Sequence, residues 1–341
     1  MHWMSRVQGD PISWLLELDE SSPSVRYLTL KNILRKPQED PEVVQARADA
    51  MKSGPIPTIL DAMDPGGYWV QPGPGYYPKY QGTVWQIMFL AQMGADGSHD
   101  KIKAACSYIL ENSPSQVGGF SMNGNNSGMI HCLEGNLVAA LIALGMFGDG
   151  RLDRAVDWLA RSVTGRGIAD SREKGAIIRY LRSGNSGPGF LCSANDQLPC
   201  AWGAVKAMLG LLAVPTSVRS SAVQEAIEIG ADFLLSVDPA GAEYPMGYSA
   251  KPNRSWFKFG FPVAYVTDVL QNLDVLTQLD LGPDPRLANA LELLLSKQND
   301  EGRWLMEYTY NGKTWVDIEK KNQPSKWVTY RALKVLKQAS A

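Results

Sequence analysis

The sequence repeats one pattern six times, and this repeat limits what the chain can fold into. Each copy is a segment of 11 to 13 residues, rich in Leu, Val, Ala and Met, that places apolar side chains on more than one face of a helix. A helix that is apolar nearly all round is buried on several sides. The repeat therefore predicts six inner helices, at residues 24–34, 83–93, 132–144, 200–211, 263–273 and 325–336.

A second kind of segment follows several of these, with one apolar stripe and one charged face. Residues 148–162 and 282–297 show it best, and Asp149 and Asp284 suit the N-cap position. The same place in the repeat is filled more loosely by three further segments, 41–53, 98–112 and 216–237. The alternation predicts an all-α fold in two layers: an α/α toroid, a closed ring of about six inner and five to six outer helices, spanning residues 1–341 as a single domain.

A glycine-aromatic turn follows the outer segment at three places, residues 64–69, 116–120 and 298–304. Glycine permits the tight turn, and the aromatic ring can then fold back onto the end of the preceding helix. The third turn, from Gln298 to Trp304 (QNDEGRW), resembles the QW motif of squalene–hopene and oxidosqualene cyclases.

The whole alternation is similar to the prenyltransferase/squalene-oxidase repeat that terpenoid cyclases share with protein prenyltransferase β-subunits. This resemblance implies the toroid fold and an enzyme that acts on a hydrophobic, isoprenoid-like small molecule by cyclisation, isomerisation or lyase chemistry. The sequence contains neither the D-x-D-D acid motif of triterpene cyclases nor the D-D-x-x-D metal motif of ionising terpene synthases. The resemblance therefore indicates the fold more strongly than the cyclase mechanism.

Loop lengths predict which end of the ring carries the site. Connections from inner to outer segments are short, whereas those from outer to inner segments are long, at 64–81, 113–130, 163–199, 238–261 and 304–324. Long irregular loops in a compact domain are usually functional. These loops meet where the inner helices begin, at the end that also presents unpaired backbone N–H groups. We therefore expect the site at the N-terminal ends of the inner helices.

Aromatic side chains stand near the start of four inner segments: Trp85, Trp202, Tyr265 and Trp327. Aromatic faces suit an apolar ligand and stabilise a carbocation by cation–π attraction. These four are candidate substrate-binding residues, together with Asn136 in the third segment. The alternative is that the rings wedge inner helices against outer ones.

Three of the four cysteines, Cys132, Cys192 and Cys200, fall at the same end, and His131 adjoins the first. Thiolates with an imidazole would satisfy tetrahedral zinc, so these four residues are candidate metal ligands for a zinc-dependent transferase or hydrolase. Protein prenyltransferase β-subunits hold zinc with Asp, Cys and His near inner-helix starts, although the order of ligands differs here. Two alternatives stay open: a catalytic Cys200 thiolate acidified by the helix dipole, or small buried cysteines without chemistry.

Asp268 is the best candidate for a catalytic general acid, as a lone carboxylate within an apolar inner segment. Burial there would raise its pKa and keep it protonated. The alternative is an ion pair with Lys206 or Arg331, which also lie within inner segments. Glu134, early in the third segment, is a second candidate catalytic acid.

Composition and charge narrow the classes of partner. The net charge of −2 offers no electrostatic footprint for nucleic acid. No apolar run approaches the ~20 residues that span a bilayer, and residues 1–10 lack the apolar core of a signal peptide. Four cysteines outside a small disulfide scaffold favour a reducing cytoplasm. We expect a cytoplasmic protein with a hydrophobic small-molecule partner; a non-catalytic ligand- or protein-binding ring is the remaining alternative, and the oligomeric state is not indicated.

Overall fold

The computed structural model describes residues 3–170, 172–173, 175 and 181–340. Over these residues the chain is mainly helical, as the sequence predicts, with thirteen α-helices. Six helices occupy the positions predicted for inner helices and are called the inner helices: α2 (Pro23–Leu28), α5 (Thr83–Gln92), α7 (His131–Ala143), α9 (Ala201–Ala213), α11 (Val269–Thr277) and α13 (Lys326–Ala339). The other helices are α1 (Pro11–Leu16), α3 (Pro41–Lys52), α4 (Pro55–Asp61), α6 (Asp100–Asn112), α8 (Gly150–Thr164), α10 (Ser221–Leu234) and α12 (Ala288–Ser296).

Short strands occur in the long connection between α8 and α9. Strand β1 (Ile168–Ala169) pairs in parallel with β2 (Leu181–Arg182). Strands β3 (Ser186–Gly187), β4 (Leu191–Cys192) and β5 (Leu198–Pro199) form an antiparallel sheet in that order. Among the described residues, no helix has both the length and the apolarity that crossing a membrane requires.

The inner segments match the prediction except at the first and the fifth. Helix α2 continues into a five-residue π-helix, Thr29–Ile33. The predicted fifth helix, 263–273, is wrong at its start, because α11 begins only at Val269. Asp268 has extended backbone angles and its side chain accepts the Gln271 amide, which is N-cap geometry. The β-branched residues before it are weak helix formers and leave the start to this cap.

Two outer helices start as the sequence predicts. Asp149 caps α8, and its side chain accepts the Arg151 amide. Asp284 accepts the Arg286 amide in the same way, at the head of a 3₁₀ turn that leads into α12. Each carboxylate thus satisfies an N–H group that the helix itself leaves unpaired.

The glycine-aromatic turns fasten outer helices through buried rings. The indole N–H of Trp69 donates to the Ile59 carbonyl at 2.8 Å, in α4, ten residues back along the chain. The indole N–H of Trp304 donates in the same way to the Leu294 carbonyl at 2.7 Å, in α12. Phe120 takes the equivalent place in the middle turn, and all three rings are fully buried. The recurrence of one contact at equivalent places shows a structural repeat.

The inner helices pack in series. Helix α5 packs on α7, α7 on α9, α9 on α11, and α11 on α13, while α13 returns to α2 and the π-helix. The closest pair is α7 and α9, where Gly135 lies against the Lys206 carbonyl and Gly210 lies against the Gly135 carbonyl. A β-carbon at Gly135 would stand 1.8 Å from the Lys206 carbonyl oxygen, so only glycine permits this approach of the two helices.

Candidate functional site

One cavity of about 390 Å³ lies among the inner helices. Side chains from α2, α5, α7, α9, α11 and α13 all line it. Much of its wall is apolar, with Met88, Ala139, Val205, Leu209 and Val275 among the lining residues. This volume is within the range of pockets that hold small-molecule ligands.

The cavity opens at the C-terminal ends of the inner helices. Its deepest lining residues, Asn136, Lys206 and Gln271, are buried and lie away from those ends. Ala143, the last residue of α7, and Gln278, the C-cap of α11, are exposed lining residues and mark the mouth. The cavity therefore lies at the opposite end from the one that the loop lengths indicate, which corrects that expectation.

The N-terminal end is filled by aromatic side chains that the sequence marks as substrate-binding candidates. Trp85 and Trp327 are buried, and neither lines the cavity. Trp85 packs against Tyr265 with ring centroids 5.0 Å apart, and Phe261 stacks on Trp327 at 3.9 Å. Trp202 is half-buried and also lies outside the lining. Rings that pack on one another leave less room for a ligand. Substrate binding by the four candidate residues stays a prediction, and so does the wedge alternative.

The floor of the cavity is a buried polar network. The Lys206 amine donates to the Gln271 side-chain oxygen, and Gln271 Nε2 donates to Asp268 Oδ2 at 2.9 Å. Beyond Asp268, Arg331 Nη2 lies 3.8 Å from Oδ1, and Arg331 Nη1 donates to the Gly260 carbonyl at 2.6 Å. The alternative of an ion pair for Asp268 matches this arrangement, with Lys206 joined to the carboxylate through an amide.

Asp268 is the N-cap of α11 and not a residue within the helix, which corrects the basis of its prediction as a general acid. Its Oδ1 accepts the Gln271 amide at 2.7 Å, and the residue is buried. Burial raises the pKa of Asp268, while Arg331 and the hydrogen bonds from Gln271 favour the charged form and oppose that rise. Its first role is therefore to start a helix and to balance one of two buried cations.

Cations outnumber carboxylates in the cavity lining, where Asp274 is accompanied by Lys31, Arg47, Lys206, Arg331 and Lys334. Lys334 pairs with Asp274 at 2.8 Å, and Arg47 pairs at 3.1 Å with Asp96, behind the wall. Within the described ranges, no carboxylate lies at ion-pair distance from the Lys206 amine. The cavity thus carries an excess of positive charge, which attracts anions.

Glu134, the second predicted acid, faces the outer layer. A β-carbon at Gly119 would lie 2.5 Å from Glu134 Oε1, beside Trp158 of α8. Burial raises the pKa of Glu134 well above its ordinary value, and the Phe120 amide lowers it only in part. Neither carboxyl oxygen has a well-formed hydrogen bond with a described residue. Burial thus favours the neutral form of this acid, which lies beneath the middle glycine-aromatic turn and outside the cavity lining.

Cys132, Cys192 and Cys200 meet near the N-terminal ends of α7 and α9, close enough to shift one another's pKa. The Cys200 thiol donates to the Cys192 sulfur, and with the amides of Ala194 and Asn195 it holds the pKa of Cys192 below its ordinary value. The same bond, with burial, raises the pKa of Cys200, the N-cap of α9. Burial raises the pKa of Cys132 to about 12. The hydrogen bond thus makes Cys192 the more acidic of these two thiols. A catalytic role for Cys200 stays a prediction.

His131 is turned away from these thiols toward the outer layer. Its Nε2 lies 2.8 Å from Ser162 Oγ on α8, and its ring meets Phe190 edge-on at 5.7 Å. Burial lowers the pKa of His131 to about 4, so the imidazole is neutral at pH 7. In the part of the chain that the structure describes, no three His, Cys, Asp or Glu side chains are arranged to hold a metal ion. The four-residue zinc site is therefore not assembled as expected, and zinc binding by the thiols stays a prediction.

Asn136 is the one predicted substrate-binding residue that lines the cavity, where its amide donates to the Cys132 carbonyl at 2.7 Å. The two cations of the cavity floor could have been predicted from the sequence, because Lys206 and Arg331 stand inside segments that are largely apolar. A cation in such a helix requires polar surroundings, and a ligand cavity supplies them. From the sequence they are expected only as partners of Asp268.

No protein-family profile matches the chain, and no curated protein matches it. Solved structures similar to it include the type II terpene cyclase MstE from Scytonema without ligand, at 14% identity and a TM-score of 0.29 over 84% of this chain and 95% of that one. An arginine-to-alanine variant of MstE in complex with geranylgeranyl dihydroxybenzoate is 13% identical, with a TM-score of 0.34 over 84% of this chain and 95% of that one. A glutamate-to-alanine variant of a glycosidase is 12% identical, with a TM-score of 0.34 over 83% of this chain and 94% of that one. Likenesses this weak carry no argument about chemistry.

Proposed function

We propose that the chain is an α/α toroid forming one domain, and an enzyme that acts on a small molecule with an apolar, isoprenoid-like body and an anionic head group. The toroid is supported by the inner-helix contacts, which run from α5 to α13 and return to α2. It is supported also by a cavity that side chains of six inner helices line together. The substrate binds in that cavity.

One observation carries the choice of ligand. Lys206 is 1% exposed, stands in the cavity floor, and has a neutral amide instead of a carboxylate as its hydrogen-bond partner. A buried cation without a counter-ion is costly, and an anionic group of a ligand would remove that cost. Arg331 lies in the same floor, with its Nη2 atom 3.8 Å from Asp268 Oδ1. Its guanidinium has further N–H groups that can donate to an oxygen of the ligand.

The walls suit the rest of the molecule. Between the floor and the mouth, the cavity is lined by alanines and by Met88, Val205, Leu209 and Val275. These side chains exclude water from an apolar body without fixing its direction, which the charged floor does instead. A titratable group with a shifted pKa inside a cavity is typical of catalytic sites, and Lys206, whose pKa burial lowers to about 8, is such a group.

Farnesoic acid and farnesol test this proposal, because they share an isoprenoid body and differ in the charge of the head group. Calorimetry should show the acid binding roughly tenfold or more tightly, the ratio that one charge-assisted hydrogen bond supplies. Lys206→Met should reduce that preference several-fold and leave Arg331 to supply the rest, while Lys103→Met, the same change on the exposed outer helix α6, should keep it in full. Equal affinities for the two ligands would contradict the anionic head group, and no binding of either would contradict the isoprenoid body.

A further inference from the structure

The position of Lys206 suits an amine that reacts as well as an amine that binds. Helix α9 carries it five residues past its first residue, Ala201, where the side chain enters the cavity floor. The amine donates to the Gln271 oxygen, an uncharged acceptor, and no described carboxylate lies within ion-pair distance to hold the proton on the nitrogen. Lys206 and its partner Gln271 both line a cavity of about 390 Å³, which has room for a ligand that carries a carbonyl group.

The surrounding charges act in both directions on this amine. Burial lowers the pKa of Lys206 to about 8, Asp268 and Cys132 oppose that shift, and Arg331 adds to it. These three groups face it from the loop before α11, from α7 and from α13. At pH 7 about a tenth of Lys206 amines are therefore neutral, against fewer than about one in a thousand for a lysine of ordinary pKa.

We propose that Lys206 is an amine nucleophile that condenses with an aldehyde or ketone group of the bound anion to form an imine. The neutral nitrogen attacks the carbonyl carbon, a C–N bond forms, and the carbonyl oxygen becomes a hydroxyl group. The nitrogen gives up its two protons, the oxygen leaves as water, and no oxidant or reductant takes part. Lys206 and Arg331 together attract the anionic group into the floor, and Arg331 holds that group once the Lys206 amine has condensed. This inference rests on the proposed anion site in the cavity.

Reductive trapping with glyoxylate, an aldehyde that carries a carboxylate, tests the inference. The intact protein is incubated with glyoxylate and cyanoborohydride at pH 7, and peptide mass spectrometry locates the carboxymethyl groups. Lys206 should be modified roughly tenfold or more over an exposed lysine such as Lys103, because far more of its amine is neutral. Farnesoic acid should protect it, and acetaldehyde, which lacks the carboxylate, should label it less selectively.

The variants separate binding from chemistry. Lys206→Arg keeps a cation in the floor but has no amine that can condense under these conditions. This variant should still bind farnesoic acid, but glyoxylate should no longer label position 206. Arg331→Met should reduce trapping of glyoxylate more than trapping of acetaldehyde. Modification spread evenly over exposed lysines, while farnesoic acid still binds, would overturn the imine and leave the anion site standing. Selective trapping at Lys206 without farnesoic acid binding would refute the isoprenoid substrate and leave the nucleophile standing.

Discussion

The close approach of α7 and α9 makes Gly135→Ala the sharpest test of the architecture around the cavity floor. A β-carbon at this position would stand 1.8 Å from the Lys206 carbonyl oxygen, 2.2 Å from its carbon and 2.7 Å from the Ala207 nitrogen. All three atoms are backbone, so no side-chain rotation relieves the clash. Carbon and oxygen atoms need about 3.5 Å, so the two helices must separate by more than an ångström.

The expected cost follows from two opposing terms. Overpacking a tightly packed interface costs about 1–3 kcal/mol of unfolding free energy. The new β-carbon meets backbone atoms between the two most extensively paired helices, so its cost belongs at the upper end of this range. Alanine in place of a mid-helix glycine returns up to about 1 kcal/mol. Gly135→Ala should therefore lower the free energy of unfolding by about 2 kcal/mol. It should also move the Lys206 backbone and weaken the binding of farnesoic acid.

Gly203→Ala is the matched control, because this glycine lies on α9 close to the same interface. Its β-carbon would stand 3.5 Å from His131 Cβ, which is ordinary van der Waals contact. This variant should be as stable as the wild type or up to about 1 kcal/mol more stable. Urea titrations followed by far-ultraviolet circular dichroism measure both variants. If Gly135→Ala unfolds at the same urea concentration as the wild type, the close α7–α9 contact is refuted.

Three further predictions concern buried titratable groups at the other end of the inner helices. His131 has a pKa of about 4 against an ordinary 6.5, so the unfolded chain takes up a proton first as the pH falls between these values. Stability at pH 4.5 should be about 2–3 kcal/mol below that at pH 7, and His131→Gln should remove most of this dependence; an equally acid-sensitive variant would contradict the assignment. Cys192 should react with iodoacetamide at pH 7 roughly tenfold or more faster than Cys106, whose pKa burial raises to about 12. A fast phase that survives in Cys192→Ser would place the thiolate elsewhere. Glu134→Gln should change the free energy of unfolding by less than about 1 kcal/mol, since a neutral amide replaces a neutral acid of the same shape, and a large loss at pH 7 would show that the carboxyl is charged.

The helices were accessible from the sequence because periodicity and capping are local. The apolar run that becomes α7 has no polar face to spoil the pattern, and Asp149 needs only its own neighbours to cap α8. Asp268 shows where this reasoning fails. An apolar stretch before it continues the pattern of a helix, but its own side chain starts the helix later by accepting the Gln271 amide.

The sequence could not predict in the same way which end of the inner helices holds the cavity. The long loops carry rings of their own that pack at the N-terminal ends, such as Tyr80 on Trp85 at 4.9 Å between ring centroids. Whether aromatic residues line a cavity or close it depends on packing between distant segments, which composition and spacing do not contain. Trp85 packs against Tyr265, which lies 180 residues further along the chain, and no local signal predicts that pair.

Which cations a ligand would use can be decided by what else already neutralises them. Helix C-termini present unpaired carbonyls and a negative dipole, so cations gather at the mouth of this cavity for reasons of helix stability alone. Lys337 illustrates this role, since its amine donates to the Asn32 and Ile33 carbonyls at the end of the π-helix. Lys334 at the mouth has Asp274 at 2.8 Å as its partner. Lys206 stands in the middle of a helix, and among the described residues its hydrogen-bond partner is an amide and not a carboxylate, so its charge is left for a ligand.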